Sequence, residues 1–94
     1  MKEQVFKKYD DPGHGWLAVK RQLLIDLGII DKITSCSYQR GKTVYLEEDL
    51  DLSTFWQAYE QKTGNAPRYI VKTQCHGNSP IRSYDCFKRY EVMR

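Results

Sequence analysis

The side chains best suited to chemistry in this 94-residue chain are two histidines and three cysteines. His14 lies between Gly13 and Gly15, three residues after Asp11. A histidine beside a carboxylate can move protons. No recognisable motif supplies a nucleophile to the pair, so the sequence gives His14 a turn role, its ring packed on Trp16 or bonded to backbone. Cys75 and His76 are adjacent, and neighbours on a strand point to opposite faces, so they cannot form a dyad. Cys36, Cys75 and Cys86 make an odd count, which cannot close a disulfide framework. The C-x-x-C and H-x3-5-H spacings of zinc sites are missing. The sequence therefore predicts no metal, no cofactor and no enzyme, with buried free thiols acting as small hydrophobes.

Two further stretches invite a ligand. Gly41-Lys42-Thr43 resembles the end of a phosphate loop, but that loop needs a glycine where Cys36 stands and a helix where a strand is predicted. Glu47-Glu48-Asp49 with Asp51 can bind a metal or imitate nucleic-acid phosphates. The plainer alternative is a charged helix start, which the helix dipole favours without any ligand.

Charge is distributed in blocks. Residues 1–42 carry eight Lys/Arg against five Asp/Glu, residues 43–61 five acids and no base, and residues 62–94 seven bases against two acids. The folded chain is expected to present one basic face and one acidic patch, with a solvated surface of mixed charge as the equal alternative; a basic face raises encounter rates with nucleic acid. The candidate contacts are Arg40 and Lys42 at a hairpin tip, Lys72, Arg82, Lys88 and Arg89 on the last two strands, and Lys20 with Arg21. Seven tyrosines interleave with these bases. That composition suits single-stranded nucleic acid, where bases stack and phosphates pair. It equally suits a protein interface anchored by Tyr and Arg.

The elements that must position these residues follow from pattern. Strands are predicted at Gln4–Tyr9 and Trp16–Val19, separated by the Pro12-Gly13 turn. A short helix covers Lys20–Leu27, with Leu23, Leu24 and Leu27 on one face and Gly28 at its end. Ile33–Tyr38 and Thr43–Glu48 form a hairpin about Gly41. Asp51–Thr63 is a helix with Asp51 as N-cap and Leu52, Phe55, Trp56 and Tyr59 on its apolar face. Strands Arg68–Gln74 and Arg82–Val92 complete the chain. The expected fold is α+β, an antiparallel sheet with two helices packed on one face in the order ββ-α-ββ-α-ββ. Residues 1–94 make one domain. Leu23, Leu24, Leu27, Ile30, Val44, Leu46, Phe55 and Trp56 are its expected core, and the opposite sheet face should be partly open and carry Tyr and Lys/Arg in alternation.

No apolar run approaches the roughly 20 residues that span a bilayer, and no apolar h-region follows Met1, so a cytoplasmic location is expected. Three stretches carry a resemblance: Asp11-Pro12-Gly13-His14-Gly15-Trp16-Leu17, Leu27-Gly28-Ile29, and Ser35-Cys36-Ser37-Tyr38 running through Gly41 to Val44-Tyr45-Leu46-Glu47-Glu48-Asp49. Over residues 9–55 the chain resembles a group of small proteins of bacteriophages and mobile elements. It is also similar to phage-borne anti-CRISPR proteins of the type I-F class. The resemblance implies an inhibitor in the cytoplasm of an infected bacterium. Its implied partners are the Cas proteins and guide RNA of a type I surveillance complex, bound stoichiometrically so that target DNA recognition is blocked, with no membrane and no small-molecule substrate. No individual residue role comes with it. A stand-alone single-stranded RNA or DNA-binding module is the alternative.

Overall fold

The computed structural model describes residues 4–73 and 79–88. It is an α+β domain with a six-stranded sheet and two helices. Strands β1 (Val5–Asp10) and β2 (Gly15–Lys20) form a hairpin closed by an Asp11 turn. Helix α1 (Arg21–Asp26) and a 3-10 turn at Ile30–Lys32 lead to a second hairpin, β3 (Tyr38–Arg40) and β4 (Thr43–Glu47). Helix α2 (Asp51–Thr63) then precedes β5 (Arg68–Thr73). A 3-10 turn at Pro80–Ser83 and the short β6 (Asp85–Cys86) follow. The sheet order is β5-β1-β2-β4-β3-β6.

The sheet is mixed, where an antiparallel one was expected: β5 runs parallel to β1. Thirteen residues of α2 span about 20 Å, which carries the chain back to the end where β4 began. The next strand must then emerge in the direction of β4. A helical crossover sets this direction, and local strand propensity carries no information about it.

One core lies between the sheet and both helices. Phe6, Leu17, Val19, Val44 and Leu46 point from the sheet to Leu23, Leu24, Phe55 and Tyr59. Phe6 meets Phe55 and Tyr59 edge-on, with ring centroids 5.4 and 5.6 Å apart. Leu27 and Ile30 pack at the margin of this core, half-buried. Trp56 is also half-buried and rests against Tyr69 of β5. Three glycines take the left-handed region that side chains disfavour: Gly28 (φ 73°) follows α1, Gly41 (φ 59°) turns the β3–β4 hairpin, and Gly64 (φ 80°) closes α2.

Four local expectations are corrected. Ile33–Tyr38 is a turn rather than a strand, and β3 begins at Tyr38. The cause is Asp51, which is fully buried and does not cap α2; Leu50 holds that position with no side-chain bond. The Asp51 carboxylate instead accepts from Thr34 N, from Thr34 Oγ1 at 2.9 Å and from Ser37 Oγ, holding the segment in a bend. The strand expected from Arg82 begins as a 3-10 turn nucleated by Ser79, whose Oγ accepts from Ile81 N; residues 89–92 of that expectation lie outside the described residues. Cys36 and Cys86 are exposed rather than buried. Cys36 sits in the bend, and Cys86 pairs with Tyr38 on the two-residue edge strand β6, so neither reaches the core. Cys75 and His76 lie outside the described residues.

Among the described residues no helix is long and apolar enough to cross a membrane.

Candidate functional site

The face of the sheet away from the helices is set by register. In β1 the odd positions lie opposite the core residue Phe6, so Val5, Lys7 and Tyr9 point to the open side. Pairing carries that parity across the sheet: Lys7 faces Ala18, Ala18 faces Tyr45, and Tyr45 faces Tyr38. The open face therefore bears Tyr and Lys/Arg side chains. Tyr9 and Tyr45 approach to 6.1 Å and Tyr45 and Tyr84 to 5.2 Å, forming an aromatic row across β1, β4 and the segment before β6. Burial, then the neighbouring phenols of Tyr84 and Tyr9, raise the pKa of Tyr45, with Arg40 opposing them. A shallow groove of about 300 Å³ runs beside the row, lined by Lys7, Tyr9, Ala18, Lys20, Thr43 and Tyr45.

The expected basic residues divide into groups. Lys20 and Arg40 both stand opposite Thr43 and so gather at one end of the groove, while Lys42, the adjoining tip residue, shares the parity of the core residues Val44 and Leu46. Arg40 lies over the Tyr84 ring at 5.1 Å and donates to its hydroxyl at 3.0 Å, extending the aromatic row with a cation. Lys72 stands opposite Tyr9, also exposed on the open face. Lys88 is exposed beyond β6, where its backbone N–H donates to Gln39. Arg21 is not on the surface: it is 4% exposed, donates to the Lys88 carbonyl at 2.6 Å and stacks on Phe87. It fastens residues 87 and 88 to the sheet. Arg89 lies outside the described residues. Lys7, Tyr9 and Tyr45 belong to the groove although composition did not single them out. The signal that could have found them is the parity of β1 once Phe6 is fixed as its core residue.

Arg82 sits at the other end of the face. It bonds Asp11 through Nε at 2.7 Å and Nη2 at 3.0 Å, and its guanidinium covers Trp16 at 5.4 Å. Asp11 also accepts from the backbone N–H groups of Gly13, His14 and Ser79. These bonds, led by Arg82, hold its carboxyl well below the usual carboxylate range. Asp11 thus ties the β1–β2 turn to the segment 79–82 and leaves the imidazole of His14 free to face elsewhere.

That imidazole turns to the acidic stretch after β4. Trp16 and Glu47 are cross-strand partners, which places His14 beside Glu47 and Asp49. A pocket of about 350 Å³ is bordered by His14, Trp16, Cys36, Glu47, Asp49 and Arg82. His14 Nδ1 is 3.9 Å from Glu47 Oε2, and the rings of His14 and Trp16 lie 6.1 Å apart. Glu48 points to the other side and reaches Lys8 at 3.7 Å. Burial would lower the pKa of Lys8, but its bond to Asp10 and the charges of Asp10 and Glu48 raise it. The acidic run is therefore divided among a pocket, an ion pair and the buried Asp51.

No family model, curated protein or solved structure matches this chain.

Proposed function

We propose that this protein acts by binding, without a catalytic step, and inhibits an RNA-guided surveillance complex by seating the open face of its sheet on that complex. The observation that carries the reading is the convergence of Lys7, Lys20 and Arg40 around the Tyr9–Tyr45–Tyr84 row. Cations set beside half-buried aromatic edges can meet phosphates and bases at once. Guide RNA covered in this way cannot pair with target DNA, since recognition depends on access to its bases. The resemblance of residues 9–55 to phage proteins, anti-CRISPR inhibitors among them, supports this choice of partner and the cytoplasm of an infected bacterium as its setting. Lys72 extends the contact along the face. The version in which acids imitate DNA loses support, because Asp51 is buried and Glu48 is paired with Lys8.

Pull-down from the bacterial host, followed by mass spectrometry and RNA sequencing, tests the reading. Recovery of Cas subunits with guide RNA is expected, and Arg40→Glu with Lys42→Glu should abolish both recovery and inhibition. Inhibition lost instead on Glu47→Lys with Glu48→Lys would transfer the contact to the acidic end. The aromatic row also favours a second reading, a stand-alone binder of single-stranded nucleic acid. That reading requires affinity for free oligonucleotide that falls steeply with salt and with Tyr9→Ala or Tyr45→Ala.

A further inference from the structure

We infer that His14, Glu47 and Asp49 form a binding site for a divalent cation of the zinc class. One donor atom from each residue lies within 4.8 Å of the other two. The inference is independent of the partner proposed above.

The acid groups alone would not carry it; the orphaned polar atoms around them do. Glu47 Oε1 accepts from the Asp49 backbone N–H at 3.0 Å. Its second oxygen, Oε2, is buried and has no hydrogen-bond partner, although His14 Nδ1 stands 3.9 Å away. Trp16 borders the same pocket, is 2% exposed, and its indole N–H is likewise buried without a partner. A buried acceptor and a buried donor left unsatisfied at one pocket are each costly. A cation held by Glu47 Oε2 resolves the first. An oxygen ligand completing the metal's shell supplies the acceptor that the indole lacks.

The separations suit a shared ion better than a direct bond. Donors on a tetrahedral zinc, each about 2.0–2.1 Å from the metal, stand roughly 3.3 Å apart. The 3.9 Å gap between His14 and Glu47 must close by about half an ångström, and a pair at the 4.8 Å limit of the cluster by about 1.5 Å. The half-exposed His14 side chain has room for that movement. Both residues are anchored through their backbones. The His14 backbone N–H is fixed by Asp11 at 2.9 Å, and the Glu47 backbone N–H by Ser37 Oγ at 3.0 Å. These bonds fix the backbone of both residues and leave the imidazole free to swing toward Glu47.

One imidazole with two carboxylates is a mixed N/O set, which favours zinc, cobalt or nickel over calcium and magnesium, ions that take oxygen alone. The pocket leaves space for water or a small anion to complete the metal's shell. The positive charge of Arg82 opposes the site only weakly, because Asp11 neutralises it.

Titration of the chelator-stripped full chain with Co²⁺ and Zn²⁺ tests the site. One equivalent is expected to bind, with a visible cobalt spectrum that zinc displaces and magnesium does not. His14→Ala and Glu47→Gln should each weaken affinity about 100-fold or more, beyond the 10–100-fold typical of supporting residues. Asp49→Asn should weaken it as well. His14 and Asp49 are exposed, so their variants should retain the wild-type circular dichroism and keep the test valid even if Glu47→Gln unfolds. Absence of stoichiometric binding, or equal binding by wild type and His14→Ala, would overturn the inference. The second result would place the ion elsewhere in the chain.

Discussion

Replacing Asp51 by alanine should remove about a fifth or more of the stability of this protein, because one carboxylate holds an entire connection. Asp51 accepts from Thr34 N, Thr34 Oγ1 and Ser37 Oγ, and Ser37 Oγ in turn accepts from Glu47 N. The chain of bonds runs from the first turn of α2, through the bend before β3, to the end of β4. A hydrogen bond to a charged group contributes about 1.5–3 kcal/mol net. Three such bonds would sum to more than the variant can lose, since the two freed hydroxyls can turn to other acceptors. The Thr34 N–H has no such freedom. A loss of about 3–5 kcal/mol is expected for Asp51→Ala, against roughly 5–14 kcal/mol for a domain of this size. In urea the midpoint should fall by about 2–3 M if m is near ~1.5 kcal/mol/M and unchanged. Ser37→Ala should cost about 1–3 kcal/mol, because it strands the Glu47 N–H. The double variant should lose less than the two single losses together by ~0.5 kcal/mol or more, as members of one network do. A loss below ~1 kcal/mol for Asp51→Ala, or strict additivity with Ser37→Ala, would refute the argument.

Asp11→Asn should destabilise the protein at neutral pH. The folded pKa of Asp11 lies below its unfolded value of about 3.9, so its contribution is present above that value and fades as pH falls toward the folded pKa. The stability gap between wild type and Asp11→Asn should therefore narrow below about pH 4 in acid titrations followed by fluorescence. Phe55→Ala should cost about 3–5 kcal/mol by chemical denaturation, since the ring is fully buried and meets both Phe6 and Tyr59. Gly15→Ala should displace the Lys8–Asp10 ion pair, because an added Cβ would lie 2.8 Å from Lys8 Nζ and closer still to the Asp10 carboxylate. A crystal structure of that variant with the 2.6 Å pair intact would count against the packing described.

Much of the fold was legible because its signals are local. The periodicity of Leu52, Phe55 and Tyr59 encodes α2, the alternation of Val44 and Leu46 with Thr43, Tyr45 and Glu47 encodes β4, and Gly41 marks the hairpin tip. Each depends on the bonding and burial of residues a few positions apart. The open face with its Tyr and Lys/Arg side chains follows once one face of the sheet is known to be apolar. What the sequence could not contain is distance. Asp51 has the chemistry of an N-cap, and only the fold brings Thr34 and Ser37 to it and turns a strand-like stretch into a bend. Arg21 and Arg82 resemble other surface bases in the sequence, yet one is buried against Phe87 and the other is clasped by Asp11. His14 and Glu47 are separated by 33 positions, far outside any zinc-motif spacing, and the β2–β4 pairing of Trp16 with Glu47 makes them neighbours. Local propensity determines which elements form. Strand register and helical crossover decide which side chains meet, and among the described residues the candidate sites lie where such elements meet.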